Sequence, residues 1–160
     1  MKNILIIDDE KDILKSVNAI LTEEGFKCYE ALNSNDAFNI HNSHQIDLIL
    51  LDVWLEDSDH DGLQILEIIR SKNSVPIILM SGHGNIDMAV SAIKKGAQEF
   101  IEKPFSSERL LLSVNRTLEI SEITEENINL KNKEIFDYQF IGTSQPILKI
   151  KQLIDKVAPT

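Results

Sequence analysis

Five short runs of apolar residues punctuate residues 1–105. Asn3–Ile7 (NILII), 46–51 (IDLILL) and 75–80 (VPIILM) are apolar at almost every position, whereas 26–31 (FKCYEA) and 99–101 (EFI) are mixed. Near-continuous runs of this length predict strands of a parallel sheet covered on both faces, where strict alternation is not expected. Pro76 stands near the start of its run, where a missing amide is tolerated. Between the runs the period changes. In 11–24 the residues Ile13, Leu14, Val17, Ile20 and Leu21 recur at helical spacing, and Gly25 ends the pattern. Ser34 or Asn33 can cap a helix reaching about His44. Residues 62–71 place Leu63, Leu66 and Ile69 on one stripe, and 85–95 do the same with Met88, Ala89, Ala92 and Ile93 before Gly96. Strands alternating with helices over short links predict an α/β fold, a five-stranded parallel sheet with helices on both faces. In such sheets ligands sit beyond the carboxyl ends of the strands, where the strand order reverses.

From Phe105 the pattern changes again. Ser106 or Ser107 caps an extended C-terminal helix whose stripe starts with Leu110, Leu111, Val114 and Leu118, then turns polar through SEITEENINLKNKE. Ile123, Ile128 and Leu130 keep some apolar spacing without a clean heptad, so this stretch reads as a linker or a marginal dimer coil. Residues 139–160 follow with a strand-like piece, a Ser144 cap, Pro146 near a first turn, and a helix with Ile147, Ile150, Leu153, Ile154 and Val157 inward. So short a unit cannot build its own core. The divisions expected are 1–120, 121–138 as a helical linker, and 139–160 as the start of something longer.

Charge narrows the search for chemistry. The net charge is −10, and residues 1–105 hold 18 acidic against 9 basic side chains while the rest hold 8 against 7. An acidic surface repels phosphate backbones, which argues against nucleic-acid binding by this chain. No apolar run approaches the roughly 18 residues that span a bilayer, and acids interrupt the N-terminal run as no signal peptide allows. The single Cys28 has no disulfide partner, so a reduced cytoplasm is the expected setting and a core position the expected role.

The polar residues that matter stand at strand ends. The first strand delivers Asp8, Asp9 and Glu10, the third Asp52, the fourth Ser81, and the fifth leads to Lys103 and Pro104. In a parallel sheet they converge on one rim. Clustered carboxylates favour a hard cation such as Mg²⁺; a lysine and a hydroxyl can hold phosphoryl oxygens; an aspartate beside a metal can attack phosphorus. Taken singly, each residue has a plainer use. Asp8 or Asp9 could cap the first helix, Ser81 could shape a turn, and Lys103 could be a solvated charge. His41 and His44 could pair on a metal, but no third ligand is evident. Asp57, Asp59 and Asp61 lack the glycine and glutamate spacing of a calcium loop.

The motifs IIDDE (6–10), LLDVWL (50–55), Asp61–Gly62, MSGHG (80–84) and EKPF (102–105) together resemble the response-regulator receiver domains of bacterial two-component systems. The resemblance implies a flavodoxin-like (βα)5 three-layer sandwich. It implies Asp52 as phospho-acceptor, Asp8, Asp9, Asp52 and the backbone carbonyl of Trp54 as the Mg²⁺ site, Lys103 as the phosphoryl partner, and Ser81 as the switch hydroxyl. Phe100 takes the place of the switch aromatic, which without a hydroxyl reports state by packing alone. A sensor histidine kinase is the implied donor, and a homodimer through the fourth helix, fifth strand, fifth helix and linker the implied response.

Two departures refine the resemblance. The proline usual after the acceptor loop is missing, and Asp52 to Gly62 is two residues longer than is common. That form, with Trp54 two residues after the acceptor, is similar to NtrX-type regulators of the NtrC group. FIGTSQPILKIKQLIDKVAPT resembles the opening of the AAA+ domain that acts on sigma-54 RNA polymerase, so polymerase and DNA are expected as partners only through domains beyond this chain. The chain contains no GxxxxGK[ST] loop, and ATP hydrolysis by it is not expected. Trp54 and His83, flanking the acceptor, are expected to tune the phosphoryl lifetime. Two other functions were weighed: an aspartyl-phosphate phosphohydrolase, which usually carries DxDx[TV] after the first strand, and a degenerate receiver serving only to dimerise.

Overall fold

The computed structural model describes residues 1–56, 58–82 and 86–141, with side chains through 128 and at 130. His83, Asp57 and residues 142–160, including the expected Ser144-capped helix, lie outside the described residues. Strands β1 (Asn3–Ile7), β2 (Lys27–Ala31), β3 (Leu48–Asp52), β4 (Ile77–Ser81) and β5 (Glu99–Glu102) alternate with helices α1 (Lys11–Glu23), α2 (Ser34–Ser43), α3 (Gly62–Arg70), α4 (Ile86–Lys94) and α5 (Ser107–Ile141). All pairings are parallel and the order is β2-β1-β3-β4-β5. The direction of the winding reverses between β1 and β3, which places a crevice over the carboxyl ends of those two strands.

Each sheet face is covered. Leu5, Ile7, Ile49, Leu51, Ile77 and Leu79 pack with Ala37 of α2, Ile65, Leu66 and Ile69 of α3, and Ala92 of α4. Ile4, Ile6, Leu48, Leu50, Ile78, Met80 and Ile101 pack with Leu14, Val17 and Leu21 of α1 and Leu110, Val114 and Leu118 of α5. Successive strand residues point to opposite faces, so burial on both faces explains the unbroken apolar runs. The sheet and its helices form one compact unit, Met1–Ile120; the second unit, Ser121–Thr160, is described only as helix to Ile141.

The structure corrects several expectations. β3 and β4 start two residues late and end one late, because Asp52 still pairs with Met80 and Ser81 with Glu102. A polar residue ends the apolar run without ending the ladder. Glu10, not Asp8 or Asp9, is the N-cap of α1, and its side chain makes no capping bond. Asn33 is the cap of α2, accepting from the Asp36 amide, and Ser106 serves α5 by accepting from the Arg109 amide. On α4 only Ala92 is buried, while Ile86, Val90 and Ile93 are exposed. That helix has more apolar residues than the single stripe its sheet face can cover. Cys28 is half-buried beside the α1–α5 core rather than fully within it. The helix continues through Ile141, where a strand-like piece had been expected; extending an existing helix avoids any new nucleation.

Candidate functional site

Asp8 follows β1, Asp52 ends β3 and Lys103 follows β5, and the sheet brings them together across the reversal point. The Lys103 ammonium lies 2.6 Å from Asp8 Oδ2 and 2.9 Å from Asp52 Oδ1. Asp8 is fully buried and Asp52 nearly so. With Asp9 they present carboxylate oxygens all within 4.8 Å of one another. The backbone fixes these groups tightly. The Asp8 amide donates to the Ala31 carbonyl, the Glu10 amide to Asp8 Oδ1, and the Trp54 amide to Asp52 Oδ2. The Lys103 amide donates to the Ser81 carbonyl at 2.8 Å, which joins the lysine to the end of β4.

A cavity of about 740 Å³ opens over this cluster, lined by Asp9, Glu10, Asp52, Trp54, Glu56 and Lys103 among others. Gly62 lies against the backbone of Asp52 and Val53. Its amide donates to the Val53 carbonyl, and a Cβ built on it would lie 2.1 Å from the Asp52 carbonyl oxygen. Only glycine allows the start of α3 to approach the acceptor strand so closely.

The electrostatics are under-compensated. Burial pushes the Asp52 carboxyl up to about 6, against the pull of Lys103, with Asp8 and Asp9 adding repulsion. Burial also acts to lower Lys103, but its bonds to Asp8 and Asp52 outweigh that and hold the ammonium above the usual lysine range. Three carboxylates share one lysine. That is a set of hard oxygen donors short of positive charge, and it fits Mg²⁺.

The remaining sequence candidates are near but differently placed. Ser81 is fully buried at the end of β4, one residue past the partner of Asp52. Phe100 on β5 packs partly buried against the α2–α3–α4 core and lines a second groove with Ile86, Pro104 and Arg109. Trp54 is 52% exposed at the cavity mouth. The histidines are not a metal pair: His41 Nε2 meets the Asn73 amide, and His44 stacks on Tyr29. Asp61 caps α3 in a capping box with Gln64, and Asp59 accepts from Asn35. Sequence reasoning did not place Glu56 on this rim; the lengthened interval from Asp52 to Gly62 was the available signal.

Residues 4–115 match the family model of the response regulator receiver domain. This chain belongs to that family. The chain is 43% identical over 157 residues to a putative NtrX-like response regulator of Rickettsia bellii, covering 98% of this chain and 33% of that protein. NtrX from Brucella abortus superimposes in its crystal structure with a TM-score of 0.79 at 40% identity, over 99% of this chain and 35% of that one. A beryllofluoride-activated NtrC4 receiver domain dimer, solved in solution, matches with a TM-score of 0.69 at 42% identity, over 74% of this chain and 98% of that one. The chain thus spans about a third of the length of the Rickettsia and Brucella relatives. Among the described residues no helix is long and apolar enough to cross a membrane.

Proposed function

We propose that the receiver takes a phosphoryl group from a sensor histidine kinase onto Asp52 and passes the change to a transcriptional output. The observation that carries this is a buried carboxylate, raised to about 6, held 2.9 Å from Lys103 beside two more acids. Asp8, Asp9, Asp52 and the Trp54 carbonyl would hold Mg²⁺. When bound, the ion supplies charge that offsets the crowded carboxylates and the incoming phosphoryl oxygens.

The chain's own residues divide the work. An ionised Asp52 oxygen forms the bond to phosphorus as the donor's phosphorus–nitrogen bond breaks. Lys103, already paired with Asp8 and Asp52, then meets a further anionic group, and its ammonium shifts from the Asp52 carboxylate toward phosphoryl oxygen. Ser81 supplies a hydroxyl for another phosphoryl oxygen, and its movement leaves room that Phe100 can fill. Gly82, beside Ser81, lines the cavity without a side chain to obstruct entry. Trp54 at the mouth limits the approach of water and so sets the lifetime of the acyl phosphate, a role His83 would share.

The response is proposed at the face made by α4, β5 and α5. Ile86, Val90, Ile93 and Leu112 are exposed there, as a surface reserved for a second copy would be. Residues 121–138 act as linker and 139–160 as the start of an AAA+ domain; similarity to the Rickettsia regulator extends over 157 residues, well past the receiver match. Sigma-54 polymerase and DNA are reached through that further part, in the cytoplasm.

The test is intact mass after incubation with acetyl phosphate, with and without Mg²⁺. One added phosphoryl group that needs Mg²⁺ and is absent from Asp52→Ala is the expected result. Phosphate release without an adduct would instead indicate a hydrolase, and neither adduct nor release a dimerisation module.

A further inference from the structure

The described residues on either side of Asp57, 53–56 and 58–61, are held at the base and at the tip of the β3–α3 connection. At the base, Gly62 donates to the Val53 carbonyl at 2.9 Å. At the tip, Ser58 Oγ accepts the Ser34 amide at 3.0 Å, Asp59 Oδ2 accepts from Asn35 Nδ2 at 2.9 Å, and the His60 ring meets Phe38 edge-on at 5.9 Å between centroids. All three partners are on the first turns of α2. Between base and tip lie Trp54, Leu55 and Glu56, which line the acidic cavity and have no ladder to hold them. Among the described residues, they reach the carboxylates beyond Asp52 through the Glu56 amide, which donates to Asp9 Oδ2 at 3.2 Å.

We propose that Ser58, anchored on the Ser34 amide of α2, is a positioning residue for the divalent-cation site, holding the Glu56 amide on Asp9 and the Trp54 carbonyl at the rim. This rests on the metal reading given under Proposed function. The geometry gives the reason. Ser58 stands two residues after Glu56, a span of at most about 7 Å, so its anchor limits how far Glu56 can move from its place beside Asp9. With one oxygen of Asp9 occupied by an amide, the carboxylate is oriented and its other oxygen is left for the ion. Such outer contacts around a metal ligand change affinity by about 10–100-fold when removed. The Ser58 hydroxyl also gives α2 an external acceptor for a first-turn amide, which couples the position of that helix to the rim. The lengthened loop is what lets its tip reach α2.

The measurement is a Mg²⁺ titration of the full chain, followed by the fluorescence of Trp54, its single tryptophan, with calorimetry alongside. Ser58→Ala is expected to weaken Mg²⁺ binding about tenfold with an unchanged far-UV spectrum, and Ser58→Thr, which keeps the hydroxyl, to restore it. Asn35→Asp, which sets a carboxylate against Asp59, is expected to weaken binding as well and serves in place of Ser58→Ala if that variant does not fold. Equal Kd values in wild type and variant overturn the proposal, as does a weakening that Ser58→Thr leaves in place. A wild type that binds no Mg²⁺ by either readout removes the metal reading itself, which is a different failure.

Discussion

At the amino ends of the strands, Arg70 closes α3 and directs its guanidinium at three oxygens. Nε donates to the Gly96 carbonyl at 2.8 Å, Nη2 to Gln98 Oε1 at 2.8 Å, and Nη1 to the Val75 carbonyl. Gln98 Oε1 also accepts the Ile77 amide, so one side chain ties α3 to the starts of β4 and β5. At the carboxyl ends, Asp8, Asp9 and Asp52 crowd around one ammonium. Both ends draw charge out of solvent, Arg70 in part and Asp8 and Asp52 almost wholly. At the Arg70 end every donor direction used meets an oxygen, and neutral dipoles suffice. At the Asp52 end the acids outnumber the cations, and the deficit shows as a carboxyl raised to about 6. A satisfied buried charge stabilises structure, whereas an under-compensated one stores affinity for a ligand.

The largest effect expected is at the carboxyl end and comes from backbone rather than charge. Gly62→Ala would put a methyl 2.1 Å from the Asp52 carbonyl oxygen, against backbone that cannot yield like a side-chain tip. A loss of about 3 kcal/mol or more is expected in urea unfolding, with phosphorylation by acetyl phosphate lost as well. A fully active, stable alanine variant would show that the α3 start does not hold the acceptor.

Next comes Arg70→Met, which keeps the apolar stem and removes the fork. Three oxygens lose their donor, and about 2 kcal/mol is expected to go. The rim is untouched, so phosphorylation at a temperature where the variant is folded should proceed at the wild-type rate. A slowed rate there would mean that the two ends are coupled.

Asp52→Asn should act with the opposite sign. Removing a buried charge that one shared lysine does not fully offset is expected to stabilise the metal-free protein, on the order of 1 kcal/mol. The pH dependence follows from the carboxyl being raised from 3.8 to about 6. Between those values the folded wild type holds a proton that the unfolded chain has released, so wild-type stability falls as pH rises through the window. The advantage of the variant should therefore be small below pH 4 and complete above pH 6. Thermal melts of both proteins at pH 4, 5 and 7 read it directly, and a constant difference would mean that Asp52 is not under-compensated.

The two ends were not equally legible in the sequence. Asp8, Asp9, Asp52 and Lys103 could be read because each stands just past an apolar run, and a parallel sheet must bring such positions to one rim. The topology did the work that distance in sequence concealed. Arg70 gave no comparable sign: a basic residue closing a helix is ordinary, and its acceptors lie in two separate connections, Val75 before β4 and Gly96 and Gln98 before β5. Strand ends slipped by one or two residues because hydropathy marks the covered side chains, whereas the ladder is made by amides, and Asp52 and Ser81 keep theirs paired. Ile93, expected on the covered stripe of α4, is exposed for a related reason. An apolar residue signals that a surface is to be covered without saying whether the cover belongs to the same molecule.

The smallest effect returns to the Arg70 end and asks whether it is as indifferent to pH as its neutral acceptors suggest. Asn73 Oδ1 accepts the Val75 amide at 3.2 Å, which turns the Asn73 NH₂ toward His41 Nε2 at 2.6 Å. His41 Nε2 must then accept, and the ring must be neutral. Burial, with Lys72 nearby, holds His41 below its usual range. As pH falls below about 6.5 the unfolded chain protonates first, so stability is lost between there and the lower folded value, and no further below it. His41→Gln can accept from Asn73 through its amide oxygen without titrating. Urea midpoints at pH 5.5 and 8 should show the wild type losing about 0.5 kcal/mol more than the variant, the scale of one hydrogen bond. Equal losses would mean that the His41–Asn73 contact does not constrain the ring.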